Sequence, residues 1–226
     1  MKRTNIRQQA LWAAATTVIV LLLVLCIFMV TGCSGDGDDD YLPPYQKTLC
    51  ELLTDSTGLG TTVRFDDGHQ SPLKTPIKDL RPDTLYRIGA TTLEYADGIE
   101  LYNAAAVFAP MPHTFKPEDI KHDPVEVLTA WREKRYINLR LSVLRGSEAE
   151  HYMAFIDHPV HHNSDGTRTK TITFYHDANG DGEYYRHETI VSCPVYQFTS
   201  ALREGVDSVK MVVHTPAGPA TFATVY

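Results

Sequence analysis

Tyr136-Ile-Asn-Leu-Arg-Leu-Ser-Val-Leu144 is a stretch in which apolar and polar side chains alternate along the chain. A period of two is typical of a β-strand that buries one face and leaves the other in water. The buried face would carry Ile137, Leu139, Leu141 and Val143, and the wet face Asn138, Arg140 and Ser142. The stretch therefore predicts a strand of a half-buried sheet.

Segments rich in β-branched and aromatic residues surround this strand on both sides. They lie at residues 125–131, 152–156, 169–175, 184–192, 208–214 and 220–226, with turn residues between them. Short strands at this spacing are typical of a β-sandwich. No amphipathic helical pattern longer than about ten residues follows Cys33, so the sequence predicts an all-β protein.

The region upstream of the sandwich also has a β pattern. Residues 62–65, 84–95 and 99–108 read as strands, and Asp97-Gly98 predicts a hairpin between the last two. Four or five short strands in about 65 residues suit a small barrel.

Prolines divide this part of the chain. Pro72, Pro76 and Pro82 predict a loop with a helical turn between strands, and Pro110, Pro112 and Pro117 predict a domain boundary. We therefore expect a small N-terminal barrel over residues 48–113 and a C-terminal sandwich over residues 114–226.

The chain begins like a secreted protein. Three basic residues precede a long apolar stretch, and no charged residue appears until Asp36, which is the layout of a signal peptide. The stretch ends in Val30-Thr31-Gly32-Cys33, which resembles the bacterial lipobox, where the signal is cut before the cysteine and its sulfur carries diacylglycerol. An uncleaved membrane helix is the alternative, since residues 11–30 could span roughly 30 Å of hydrocarbon. We predict a signal peptide over residues 1–32 and lipidation of Cys33.

Residues 33–47 form an acidic, proline-containing tether. Acidic residues directly after the lipidated cysteine resemble the signal that sends Bacteroidetes-type lipoproteins to the outer leaflet of the outer membrane. We therefore expect an outer membrane lipoprotein exposed at the cell surface, with a periplasm-facing protein as the alternative.

Charge limits the partners. Three of the 21 basic residues but none of the 28 acidic residues precede Cys33, so the mature chain carries a net charge of −10. This balance argues against nucleic acid and against anionic membrane surfaces as partners.

Of the four cysteines, one lies in the predicted signal peptide and one is the predicted lipid site, so two remain in the folded part of the chain. Cys50 and Cys193 could form a disulfide in an oxidising compartment, but their separation in sequence gives no indication that they meet. Two buried free thiols are the favoured interpretation.

A calcium-loop pattern occupies residues 177–188. Its oxygen ligands would be Asp177, Asn179, Asp181 and Glu188, which have the spacing of a calcium-binding loop. Calcium binds six to eight hard oxygen ligands, and this pattern could supply them. The flanking segments read as strands rather than the helices of an EF-hand, and Asn179-Gly180 favours a hairpin turn. We expect the hairpin, with calcium as the alternative.

Histidines and tyrosines form two weaker patterns. A transition metal could bind near His158, His161 and His162, with His151, His176 and His187 close in sequence, but a solvated loop is favoured.

Among Tyr136, Tyr175, Tyr184, Tyr185 and Tyr196, most are expected in the core, and outward-facing ones could stack on sugars or proteins.

The sequence gives no indication of catalysis. The patterns of serine hydrolases, zinc proteases and phosphate-binding loops are all missing. We do not expect an enzyme, and no cofactor beyond the diacylglycerol is expected.

Several segments are similar to the NigD-like lipoproteins of Bacteroidetes. They are DPVEVLTAWREKRYINLRLSVL, HYMAFI, TITFYHDANGDGEYYRH and DSVKMVVHTPAGPATFATVY, and they follow a lipobox and a small β domain. The resemblance covers nearly the whole mature chain. It implies an N-terminal OB-like barrel and a C-terminal β-sandwich, and a proposed role in bacteriocin immunity, but it supplies no catalytic residues.

The expected function is therefore a surface-anchored, non-enzymatic binding lipoprotein, with bacteriocin or toxin immunity as one version. A glycan-binding accessory lipoprotein of the outer membrane and an enzyme of unrecognised type are the alternatives.

Overall fold

The structure is a computed structural model that describes residues 44–146 and 149–226. The predicted signal peptide, Cys33 and the tether up to residue 43 lie outside the described residues. The strands are β1 (Gln46–Thr54), β2 (Gly60–Phe65), β3 (Gln70–Ile77), β4 (Leu85–Tyr95), β5 (Gly98–Ala106), β6 (Glu126–Arg132), β7 (Tyr136–Arg145), β8 (Tyr152–His162), β9 (Arg168–Asp177), β10 (Tyr185–Pro194), β11 (Ser208–Thr215) and β12 (Gly218–Val225). Pro117–Asp119 and Tyr196–Phe198 are 3-10 turns, and no helix in the described part of the chain is long and apolar enough to cross a membrane.

The first five strands form a closed barrel in the order β1-β2-β3-β5-β4. β4 and β5 form the predicted hairpin, with Tyr95 opposite Gly98, and β3 meets β5 in a parallel contact. Apolar residues that alternate along the strands fill the interior: Cys50, Leu52, Val63, Leu73, Ile88, Ala90 and Ile99. The order and closure are those of an OB-like barrel, as expected.

Strand β3 contradicts the prediction of a loop at the prolines. It contains Pro72 and Pro76 and still pairs with β2, although the register shifts between Gly60 and Thr62. Its pairing with β5 is limited to Leu73 opposite Ile99, so few of its backbone N–H groups are needed in the sheet. Proline is tolerated at such irregular positions, and burial of Leu73 holds the strand on the barrel.

The remaining strands form the predicted sandwich, so the all-β class with a barrel followed by a sandwich is confirmed. One sheet has the order β10-β7-β6 and the other β12-β11-β9-β8. Their shared core is apolar and almost fully buried, and it includes Ile137, Leu139, Leu141, Val143, Phe155, Ile172, Val191 and Met211.

The link from β9 to β10 is not a hairpin. Asn179 and Gly180 have positive φ angles of 52° and 71°, and the Asp181 N–H donates to the Ala178 carbonyl, so a tight turn is present. However, β9 pairs with β8 and β11, whereas β10 pairs with β7. The turn therefore carries the chain from one sheet of the sandwich to the other. The predicted turn chemistry is correct, and the predicted hairpin is wrong.

Candidate binding cleft between the barrel and the sandwich

A cleft of about 640 Å³ lies between the barrel and the sandwich, inside the compact unit Pro43–Tyr226. Its lining residues are Lys47, Thr48, Leu49, Asp66, Asp67, Gly89, Ala90, Thr91, Asn103, Ala105, Trp131, Glu133 and Ile190. Sites for small ligands or side chains are commonly clefts of roughly 300–1,000 Å³ where domains meet. The cleft is therefore the candidate functional site.

The barrel wall of the cleft is built from β1, β4 and β5. Leu49 lies opposite Gly89, and Gly89 lies opposite Ala105 on the next strand. These residues face outward because they alternate with Cys50 and Ile88, which point into the barrel core. Glycine and alanine carry little or no side chain, so the wall leaves space at this row.

The sandwich wall is built from β6 and β10. Trp131 is half-buried and lies opposite Asn138 of β7, and Asn138 lies opposite Ser192 of β10. Asn138 accepts a hydrogen bond from Arg87 of the barrel, so this row is on the side of the sheet that faces the barrel. Ile190, two residues before Ser192 on β10, lines the cleft on the same side.

A buried carboxylate joins the two domains beside the cleft. Glu51 of β1 is fully buried, and it forms an ion pair with Arg64 of the neighbouring barrel strand. From the sandwich, Arg135 Nε donates to Glu51 Oε1 at 3.1 Å and the Tyr136 hydroxyl donates to the same oxygen at 2.5 Å. One carboxylate thus binds donors from both domains.

A second buried charge stands next to the first. Arg87 of β4 is opposite Glu51 in the sheet, and both of its Nη atoms donate to the Asp66 carboxylate, with 2.7 Å between Nη2 and Oδ2. It also donates to Asn138 Oδ1 at 3.2 Å and to Ser192 Oγ at 3.3 Å. Its guanidinium lies 3.9 Å from the centre of the Tyr136 ring. Buried charges are tolerated when paired and hydrogen-bonded in this way.

Carboxylates gather at the end of the cleft beside this network. Desolvation raises the pKa of Glu133, and the negative charges of Asp66 and Asp67 raise it further, while Arg87 opposes them. Glu133 therefore experiences the charge of both aspartates. Asp67 and Glu133 are the carboxylates of this group that form no ion pair with Arg87.

The cleft also has a cation in its lining. Lys47 is exposed and lies on β1, where it faces Thr91 of β4. The cleft thus combines a tryptophan face, a small-residue wall and charged groups of both signs. Such a surface can orient a ligand by stacking and by hydrogen bonding.

The residues of the calcium-loop pattern are not brought together. Asp177 is the last residue of β9 and Asn179 lies in the turn between the sheets, whereas Glu188 is within β10 and pairs with Arg140 at 2.5 Å. Asp181 Oδ2 instead lies 3.0 Å from His151 Nε2. Within residues 44–146 and 149–226, no group of three histidine, cysteine or acidic residues is arranged to hold a metal ion.

The histidine segment 158–162 is not a solvated loop, contrary to the prediction. His158, His161 and His162 belong to β8, an edge strand with a bulge between Asp157 and Val160. The bulge accommodates the proline between the histidines, and His158 Nε2 lies 2.9 Å from Thr173 Oγ1.

Two other histidines form a buried hydrogen-bonded chain. His151 Nδ1 lies 2.9 Å from His176 Nε2, and His176 Nδ1 lies 3.1 Å from the Asp123 carbonyl. Desolvation lowers the pKa of His176. His187, in contrast, is exposed on β10.

The possible disulfide between Cys50 and Cys193 is not formed. Cys50 is in the barrel core, Cys193 is in the sandwich core, and both thiols are free. Burial raises the pKa of Cys50 to about 12 and also raises the pKa of Cys193.

The tyrosines divide between core and surface. Tyr136 and Tyr175 are buried and Tyr196 is half-buried, whereas Tyr184 and Tyr185 are 84% and 49% exposed. The exposed pair follows the turn between the sheets, where β10 begins beyond the sandwich core.

Most of the residues that build the cleft were not singled out from the sequence, and the adjacent carboxylates Asp66 and Asp67 were interpreted as a turn. Glu51 gives the clearest signal, because it interrupts the apolar run Leu49-Cys50-Glu51-Leu52-Leu53. A charged residue inside such a run indicates a buried, paired group. Its partners Arg135 and Tyr136 lie more than 80 positions away and could not be identified from local pattern.

One comparison, with models of protein families, identifies the sandwich. A family model described as "NigD-like C-terminal beta sandwich domain" matches residues 108–226, more than half of the chain. A comparison with curated proteins gave no match.

Solved structures from Bacteroides share the fold. A NigD-like immunity protein from Bacteroides caccae is 23% identical, with 81% of this chain and 93% of that chain covered and a TM-score of 0.61. A protein of unknown function from Bacteroides vulgatus is 16% identical, with coverage of 81% and 91% and a TM-score of 0.62. A candidate lipoprotein from Bacteroides fragilis is 12% identical, with coverage of 81% and 97% and a TM-score of 0.53. At these identities the likeness shows the fold alone.

Proposed function

This chain belongs to the NigD-like family, and we propose that it is an anchored, non-enzymatic binding lipoprotein that holds its ligand in the cleft between barrel and sandwich. The observation that carries the proposal is the cleft itself, which is lined by a half-buried tryptophan, a small-residue wall and charged groups of both signs. Convergent polar groups in a largely apolar concavity are typical of recognition sites.

The ligand in this proposal is a protein, such as a bacteriocin or toxin. The support is the relative from Bacteroides caccae, which is described as an immunity protein and has the same fold. A side chain of such a ligand would fill the cleft, while the exposed surfaces around it would form the rim of the interface.

The anchor in this proposal is diacylglycerol on Cys33, which would hold the protein at the outer membrane, facing outward or into the periplasm. Cys33→Ser should abolish incorporation of labelled palmitate, because the lipobox offers no other thiol at the cleavage point. Retention of the label in the variant would exclude lipidation at Cys33.

Filling the cleft tests the site. Ala105→Trp would place an indole against the tryptophan wall, whereas Ala223→Trp adds the same group on exposed β12, outside the cleft. A deletion strain complemented with each variant would be challenged with culture supernatants of antagonistic strains. We expect Ala223→Trp to restore resistance and Ala105→Trp to fail although both proteins accumulate equally. Equal resistance in the deletion strain and its parent would exclude the immunity role.

Glycan binding is the second candidate, and exposed aromatic residues favour it. Tyr45 and Tyr102 are 53% and 66% exposed and their rings form an edge contact with centroids 5.2 Å apart on the barrel. Tyrosine faces can stack on sugars. Calorimetric titration of a polysaccharide panel would show heat for the parent protein and less for Tyr102→Ala, whereas flat titrations throughout would exclude this function.

A further inference from the structure

Some charged residues of the cleft are paired within the protein and others are not, and this difference indicates the charge of the ligand. The negative charge of Asp66 is compensated by Arg87, which donates two hydrogen bonds to it. Asp67 and Glu133 line the same end and are exposed to solvent. Lys47 is the one cation among the described lining residues, so the acidic lining residues outnumber the basic ones. Arg64 and Arg135 are near but are both bound to Glu51 and do not line the cleft.

The wall at the acidic end is aromatic. Trp131 and Glu133 are two positions apart at the end of β6 and both line the cleft. An indole face attracts cations, and carboxylates accept hydrogen bonds from ammonium or guanidinium groups. A neutral group would bring no positive charge to these carboxylates, and an anionic group would be repelled by them.

Resting on the proposed function, we propose that the ligand is a partner protein that inserts a lysine or arginine side chain into the cleft, at the end formed by Asp67, Glu133 and Trp131. The net negative charge of the mature chain would favour approach of a basic partner. The charged pair at the end of the cleft would select the inserted side chain.

A labelled hexa-arginine peptide is the probe, and hexacitrulline is its neutral counterpart of similar shape. Binding to the full-length protein in detergent would be followed by fluorescence anisotropy. The double variant Asp67→Asn/Glu133→Gln removes two charges from the cleft. Its matched control, Glu118→Gln/Asp119→Asn, removes two charges from the exposed 3-10 turn outside the cleft.

We expect hexa-arginine to bind more tightly than hexacitrulline, and the cleft variant to lose about tenfold in affinity, since charged hydrogen bonds contribute that much. The matched control should bind like the parent. Trp131→Leu should lose about two- to fivefold, in line with an exposed cation–π contact.

Equal losses in the cleft variant and the matched control would mean non-specific attraction to an acidic protein and would overturn the proposal. Equal binding of hexacitrulline and hexa-arginine would overturn it as well. So would displacement of bound probe from the cleft by a neutral oligosaccharide that binds more tightly. If Ala105→Trp abolishes resistance while Asp67→Asn/Glu133→Gln retains it, the cleft remains the binding site and the cationic ligand is wrong.

Discussion

Replacing Arg87 tests whether the buried network holds the two domains together. Arg87→Met keeps much of the side-chain volume but removes the partner of Asp66. The side chains of Arg87 and Asp66 are only 2% and 8% exposed. Removing one member of a buried ion pair destabilises a protein by about 3–5 kcal/mol, because the remaining charge is not compensated. For a chain of this size this corresponds to a fall in melting temperature of roughly 6–20 °C.

The matched control is Arg140→Met. Arg140 also sits on a strand and donates Nε and Nη2 to a carboxylate, Glu188, but both side chains are about half exposed, at 52% and 53%. Exposed pairs contribute only about 0.2–1 kcal/mol, so this variant should melt within a few degrees of the parent. Adding Asp66→Asn to Arg87→Met should restore part of the loss, because no charge then remains buried.

Urea unfolding of the three variants and the parent, followed by far-ultraviolet circular dichroism, would give the free energies of unfolding. Equal losses in Arg87→Met and Arg140→Met would refute the reasoning. A double variant as unstable as Arg87→Met would show that the loss of stability does not arise from the uncompensated charge of Asp66.

Three further results are expected. Hydrogen bonds from Arg203 hold the pKa of Asp207 well below its usual range, so the unfolded state takes up a proton first as pH falls and stability should decline below about pH 5. Asp207→Asn should flatten this decline in urea titrations, and an unchanged slope would contradict the assignment. Cys50 and Cys193 should resist maleimide at pH 8 until the protein is unfolded, because burial raises the pKa of both thiols. Peptide mapping would locate the label, and labelling of either cysteine in the native protein would disprove its burial. Melting curves in millimolar calcium and in EDTA should superimpose, because the acidic residues of the turn do not converge on an ion site, whereas an upward shift lost in Asp177→Ala would establish a calcium site.

Local sequence pattern was sufficient for the layout of the core. The alternation around Leu139 placed its apolar face correctly, because that face depends only on the period of a strand. The other face was predicted to be wet, yet Asn138 is fully buried. It is covered by Arg87 of the barrel, and the prediction treated the two domains separately.

Pairing between strands that are distant in sequence explains the other differences between the predicted and the observed fold. Asn179-Gly180 correctly predicted a tight turn, but turn chemistry does not specify whether the flanking strands pair with each other. Pro72 argued against a strand, yet it lies beside a shift in the register of β2 and β3, where the sheet loses little by its missing N–H group. The cleft depends on contacts between the barrel and residues far along the chain, which no local window contains.

The network of Glu51 and Arg87 also determines how the cleft can respond to a ligand. The Tyr136 hydroxyl donates to Glu51, and Asn138 accepts from Arg87, so buried hydrogen bonds hold the sandwich wall against the barrel without a ligand. We therefore expect a ligand to bind without a closure of the two domains around it. Less conformational entropy is lost on binding to such a site, and differences in affinity between ligands should appear mainly in their dissociation rates.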